Sequence, residues 1–397
     1  MKYRMTLPES HMSLDWLLYW QEQQQAWRRE PLISQERQQF LRERLTVVPD
    51  ITLGAYPFRD QSLTRADVEW LLSSHEDGRG PVDWQDVTQK ERVGLDLRGA
   101  QLQDVDLCDL PLARVSFGLS WTDWLPASVE ERDMARAHLE GVRLDTASLQ
   151  AAALNGAYLN GASLNGASLA QAEIGGALLE GASLKQALLQ SANLIGSHMN
   201  ATCFSGADLT GAYLIGAHLR GADLSHATVS DADFSYVHFE YADLSAIYAA
   251  ETNFGGAYMQ GADLSGASLT GSDMGGVHLE GATLIRAHLE LVSLTGRYPA
   301  HLEGADLRGA HLEGANLARV CLYGADLRGT HLELADLSGT FLAGANLYGA
   351  HLEGAQLAHT HLGAVDVDED DLAQLHNWLP EFPAQLPPAI LDRTVIA

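Results

Sequence analysis

Eleven of the sixteen histidines (His138, His198, His218, His238, His278, His288, His301, His311, His331, His351 and His361) stand directly before one of the large apolar residues that recur every five positions, and His198, His218, His238 and His278 recur at multiples of twenty. Imidazole titrates close to neutral pH and is the commonest metal ligand among side chains. If the chain stacks equivalent histidines at the strand spacing of about 4.8 Å, two rings come close enough to share a transition-metal ion. Acidic residues alternate with them, however, as in "HLEGADL" from His301, and a solvated ladder of mixed charge accounts for the pattern without an ion. The expectation is therefore no metal and no cofactor. Near the reference pKa of about 6.5 these histidines begin to neutralise an acidic surface, so binding of a basic partner should weaken below about pH 6.

No other chemistry stands out. There is no H-E-x-x-H, G-x-S-x-G or G-x-x-x-x-G-K-[ST] pattern, and the many glycines lack the lysine and the strand-to-helix setting that phosphate loops require. "DVDED" from Asp366 has neither the central glycine nor the distal glutamate of a calcium loop and reads as an acidic helix start. Cys108, Cys203 and Cys321 are far apart, which fits a reducing cytoplasm better than a disulfide framework. With no apolar leader and no run of eighteen apolar residues, neither secretion nor membrane spanning is expected. The chain is not expected to be an enzyme.

What positions the histidines is a period of five. In "HLEGADLRGAHLEGANL" the residues Leu302, Leu307, Leu312 and Leu317 are five apart, and from Leu139 to Leu294 and Leu302 to Leu362 only Ala249 among 45 such positions is not large and apolar. Every fifth residue of an α-helix drifts by about 140°, and residues five apart on a strand face opposite sides. A short extended stretch, Ala in, Asp out, Leu in, followed by a glycine corner satisfies the pattern. Repeating it winds the chain into stacked coils. Ala249 shares its coil with Phe239, Leu244 and Phe254, whose two aromatic rings leave room for a methyl group.

Segments such as "GADLRGAHLEGANL" resemble the pentapeptide-repeat family, A-(D/N)-L-x-x, over roughly residues 93 to 367. That resemblance implies an all-β solenoid, a right-handed quadrilateral β-helix with four pentapeptides per coil. It also implies a function class, since some members resemble DNA to type II topoisomerases and protect or inhibit DNA gyrase.

Around the repeats the sequence suggests four parts. Residues 1–92 read as a mostly helical N-terminal cap: one helix begins at Ser13 in "SLDWLLYWQEQQQAWRRE", placing Leu17, Trp20 and Trp27 near one face, and a second begins at Ser34. Leu53, Phe58, Leu63 and Val68 are compatible with a degenerate coil, in competition with a helix capped by Thr64 and Asp67, which is preferred. Residues 93–136 hold first coils through Leu97, Leu102, Leu107, Leu112 and Phe117, then an aromatic loop and a helix with the capping box Ser128–Glu131. Residues 137–367 form one regular β-helix broken only by three extra residues at 297–299, and 368–397 carry a short capping helix and tail.

The chain carries 52 acidic against 25 basic residues, which excludes DNA and anionic membranes as direct partners and favours a basic protein surface. Residues 137–372 have 27 acids and 8 bases. Over about twelve coils of about 4.8 Å this is roughly one net charge per 3 Å, against one per about 1.7 Å along B-DNA. Two functions are consistent with such a chain: a DNA mimic for a type II topoisomerase (DNA gyrase or topoisomerase IV), or a scaffold for some other protein. Candidate contacts are Trp121 and Trp124, which could equally pack on the N-terminal helices, the loop Arg297, Tyr298 and Pro299, and the acids Asp306, Glu313, Asp326, Glu333 and Asp336. Continuous acidic columns favour mimicry. Acids interspersed with Arg220, Arg286, Arg308, Arg319 and Arg328 favour the scaffold.

Overall fold

The computed structural model describes residues 13–89, 91–296, 298–363 and 365, so the expected C-terminal cap and Arg297 lie outside the described residues. The chain falls into two compact units, Met1–Asn193 and Leu194–Ala397.

The first unit opens with α1 (Ser13–Glu22), α2 (Gln35–Arg44) and α3 (Arg65–Gly78), the last departing from helical geometry at His75–Asp77. α1 is shorter than its sequence suggests. Trp16 and Trp20 bury one turn apart and Leu17 is exposed, while Gln24 takes φ 59° beyond the end of the helix and removes Trp27 from it. The Arg28 guanidinium lies 3.6 Å over the Trp20 ring, whose Nε1 donates to the Glu30 carbonyl at 2.9 Å, so Trp20 anchors the returning chain instead. α2 starts at Ser34 and α3 at a complete Thr64–Asp67 capping box, both as expected. The rival coil nevertheless coexists with α3. Phe58, Leu63 and Val68 are buried, Ser62 bridges Gln101 in parallel, and only Leu53 points to solvent. Arg65 and Glu69, both buried, pair at 2.8 Å. Glu69 accepts the Arg29 and Glu30 N–H groups, and Arg65 donates to the carbonyls of Asp106 and Cys108, tying α3 to the first coil. The inserted segment forms α4 (Trp121–Trp124) and α5 (Val129–Ala135), with the Ser128–Glu131 capping box.

Backbone hydrogen bonding explains the period of five. In the pentapeptide 162–166, Ala162 N–H closes a turn on Leu159, Ser163 N–H donates back to Val142, and Leu164 and Gly166 donate forward to Ser183 and Lys185, at 2.7–3.0 Å. The fifth donor, Asn165 N–H, has no carbonyl to use and is taken by Asp145 Oδ1 at 2.9 Å. Parallel bridges join residues twenty apart, four to a coil, as in His138↔Tyr158, Arg143↔Ser163, Ser148↔Ser168 and Ala153↔Glu173. Each rung is an isolated bridge rather than the three-residue strand that the sequence suggests, because the turn consumes the remaining backbone. The last residue of the pentapeptide sits at positive φ, as the third residue of a type II turn does. Gly221 at 64° does so freely, whereas Leu334 at 62° accepts a conformation costing a residue with a side chain about 1–2 kcal/mol.

The second unit repeats the rule with four columns of its own. Its inward positions are almost completely enclosed, Phe239, Leu244, Ala249 and Phe254 among them, and Phe234 stacks on Phe254 at 5.4 Å between centroids. Thr252 and Ser272, which replace the small inward alanine, donate to carbonyls of the coil before, Thr252 to Val229 at 2.9 Å and Ser272 to Ala249 at 2.6 Å, whereas Ser197 closes on Leu194 at 2.7 Å. At the expected insertion the bridges lengthen once to twenty-three residues, His278↔His301, and Ala300 N–H closes the loop on Leu294 at 3.1 Å. Filling the narrow place beside the phenylalanines should be costly. Ala249→Leu is expected to destabilise the fold by about 1–3 kcal/mol through overpacking, measured by urea unfolding; equal or greater stability would show that the coil has spare volume.

Candidate interaction faces

Four columns of outward side chains are set by the bridges, and in the second unit their chemistry differs. One carries His198, His218, His238, Tyr258, His278 and His301, whose rings stack at 4.7–5.1 Å, the spacing expected from the sequence. Another carries His288, His311, His331 and His351, stacked at 4.5–4.8 Å. In both, a glutamate two residues later turns back onto its histidine, as His238 Nδ1 to Glu240 at 3.2 Å and His311 Nδ1 to Glu313 at 3.1 Å. The sequence signal for these pairs is H-x-E, visible only once the two residues are known to flank one corner.

The aspartates serve the backbone first. Asp233, Asp243, Asp263 and Asp273 each accept the N–H two residues on, at 2.9–3.0 Å, an Asx turn that supplies the acceptor for the fifth donor of the pentapeptide. Asp306, Asp326 and Asp336 do the same for Arg308, Arg328 and Ser338. Sequence reasoning misses this role, although the (D/N) of the repeat is its signature.

The sequence-predicted contacts are not brought together. Asp306 and Asp326 are neighbours in one column, Glu313 and Glu333 flank the histidines of a second, and Asp336 belongs to a third. Forked bonds from Arg308 and Arg328 (2.7 and 2.5 Å) hold the Asp306 and Asp326 carboxyls below the usual carboxylate range and cancel their charge. By contrast, no Lys, Arg or His comes within ion-pair distance of Asp233, Asp243, Asp263 or Asp273 among the described residues. Asp243 and Asp263 bridge directly. Asp233 and Asp273 lie on either side of Asn253, two columns away across Thr228, Tyr248 and Ser268. Tyr298 is exposed and Pro299 half-buried in the inserted loop.

Trp124 is nearly enclosed and lies against the corner glycines Gly156 and Gly176, with Arg132 4.7 Å over its ring; Trp121 covers Gly175, and its backbone N–H donates to Glu173 Oε2 at 2.7 Å. A β-carbon on Gly156 would fall 2.2 Å from the Trp124 ring, so the pair seats on glycine corners of the coils while also packing with Tyr56 and Ile51 from the segment between α2 and α3.

Single-residue rungs repeating every twenty residues around an apolar interior define a β-helical repeat protein. The chain belongs to the pentapeptide-repeat family: the model for pentapeptide repeats matches it in eight copies, at residues 133–171, 147–186, 172–211, 212–247, 238–276, 250–284, 300–333 and 331–363. Among solved structures it is similar to HetL, a pentapeptide repeat protein involved in heterocyst differentiation regulation from the cyanobacterium Nostoc, at 23% identity over 76% of this chain and 96% of that one, with a TM-score of 0.38. It is also similar to QnrB1, a plasmid-mediated fluoroquinolone resistance protein (23% identity, 50% and 93% of the two chains, TM-score 0.29). A third is a pentapeptide repeat protein of the Arabidopsis thaliana thylakoid lumen (28% identity, 28% and 77%, TM-score 0.18). No curated protein matches the sequence. No helix among the described residues is long and apolar enough to cross a membrane.

His218, in the first histidine column, should sense acid. Burial, followed by the charges of His198 and His238, holds His218 below the usual imidazole value, with Glu240 opposing. A lowered folded-state pKa means that stability present above about pH 6.5 is lost as the pH falls towards the folded value, because the unfolded chain takes the proton first. His218→Phe, which still stacks but does not titrate, should raise the melting temperature more at pH 5.5 than at pH 8. An equal shift at both pH values would mean that His218 does not contribute to the acid response.

Proposed function

We propose that the protein is a non-catalytic scaffold whose columns of outward side chains bind a basic protein surface, and that its coils wind right-handedly as in the family it belongs to. The observation carrying this reading is the two pairs Asp243–Asp263 and Asp233–Asp273, on columns two apart: each carboxylate is held by its own backbone and none is offset by a neighbouring cation among the described residues. Fixed charges that need no reordering on binding lose little entropy, and they steer a basic partner through long-range attraction. The acids of the later coils contribute less to such a surface, because Arg308 and Arg328 lie on Asp306 and Asp326. Glu313, Glu333, Asp336 and the Tyr298–Pro299 loop remain available to shape the contact. The three free cysteines suit a reducing cytoplasm.

The finer reading is that the basic surface is the DNA-binding saddle of a type II topoisomerase such as DNA gyrase or topoisomerase IV. In that case the protein should compete with duplex DNA for the enzyme, with an affinity falling between 50 and 200 mM salt, though less steeply than that of DNA, whose released counterions add to the effect. Asparagine keeps the Asx acceptor while removing charge. Replacing Asp233, Asp243, Asp263 and Asp273 together by Asn should therefore weaken binding and flatten its salt dependence without altering the circular dichroism spectrum. No competition with DNA at low salt would exclude the topoisomerase, and unchanged affinity of the fourfold variant for any captured partner would exclude these carboxylates as its contact.

A further inference from the structure

In the column of His311, His331 and His351, the groups His311–Glu313–His331 and His331–Glu333–His351 each bring three ligand atoms within 4.8 Å of one another, and His301–Glu303–Cys321 does so in a different column. In all three the glutamate is half used. Its Oε1 faces the Nδ1 of its own histidine at 3.1–3.3 Å, whereas Oε2 is shut away from solvent and has no hydrogen-bond partner, as in the pairs of Glu140, Glu240 and Glu280; among the described residues, only in these three groups does a third ligand, His or Cys, stand beside such an oxygen. A fourth group, His288–Glu290–His311, has the same composition but not the same need: Glu290 Oε1 faces His288 at 3.0 Å and Oε2 accepts the Thr270 hydroxyl at 3.0 Å. An enclosed carboxylate oxygen without a partner is unfavourable, and a cation placed against it would remove that cost.

We propose that the second unit binds two divalent transition-metal ions of the zinc class, one on the His311–His351 ladder and one between His301, Glu303 and Cys321. The two ladder groups share His331, so the ladder holds a single ion, with His331 joined by Glu313 and His311 or by Glu333 and His351. Imidazole, carboxylate and thiol donors suit Zn²⁺, Co²⁺ or Ni²⁺ and not the all-oxygen preference of Ca²⁺ or Mg²⁺. Bonds of about 2.0–2.3 Å require the donors to converge from their present separation, which rotation of the stacked rings about χ2 provides, and water completes the coordination. The sequence expectation of a metal-free ladder rests on alternating charge. It does not include the orphaned oxygens.

The test is equilibrium dialysis of the full chain against ZnCl₂, with CoCl₂ as a spectroscopic probe. Two ions per chain are expected, unaffected by excess Mg²⁺. His331→Asn should reduce the count to one, and Cys321→Ser should abolish the thiolate-to-cobalt charge-transfer band. His288→Asn should leave two. If His331→Asn loses its circular dichroism spectrum, the Glu313→Gln, Glu333→Gln double variant reads the same site. Absence of bound zinc, a count indifferent to the ladder variants, or loss of an ion in His288→Asn would overturn the proposal.

Discussion

The structure turns on the fifth backbone N–H of the pentapeptide, which in the repeats that carry Asp or Asn is met by a side-chain oxygen rather than a carbonyl. Four donors are used by one turn and by the coils before and after, as in residues 162–166, and the remaining one faces outward at the corner. Where a neighbouring coil screens it from water, leaving it unpaired would cost on the order of 1–3 kcal/mol, a sizeable share of the stability of a single domain. An Asp or Asn two residues earlier, or one in the preceding coil such as Asn165 beneath Lys185, resolves it. The leucine and alanine of the motif fill the interior, and the polar residue between them keeps the backbone satisfied.

This dual duty changes how the acidity of the chain is understood. A formal charge of −27 suggests a surface selected for electrostatics, yet many aspartates are present because they accept a hydrogen bond, a task that Asn316 and Asn346 perform without charge. Net charge alone therefore does not distinguish mimicry from architecture. Position does: Asp306 and Asp326 are neutralised by arginines on the same rungs, while the aspartates near 233–273 keep their field.

Much of the fold is legible because the five-residue signal is dense. The interior positions, the coil from Leu97 to Phe117, the capping boxes at Thr64 and Ser128 and the interruption before Ala300 can all be read from residue types alone. The end of α1 cannot, since nothing in "WQEQQQAW" forbids a helix; it is tertiary packing of Trp20 under Arg28 that sets where the chain turns. At Phe58–Val68 a period of five and a helix start look exclusive in the sequence, whereas the chain finishes its rung at Ser62 and begins α3 shortly after it. The candidate contacts are least legible. Whether an acid is paired depends on side chains twenty residues away and on rotamers, and Trp124 lies over glycines whose exposure no sequence pattern reveals.

The loop before Ala300 shows a separate property of the coil. Three added residues lengthen one circuit from twenty to twenty-three, after which every column resumes in phase, as the bridges from Thr283 to Asp306 and from His288 to His311 show. Corners are thus frame-neutral ports, where chain can be inserted without rotating the later coils, and the entropic cost of a longer loop rises only with the logarithm of its length. Recognition loops can therefore diverge rapidly at corners while the interior stays under strict constraint, which lets one barrel rule support many binding specificities.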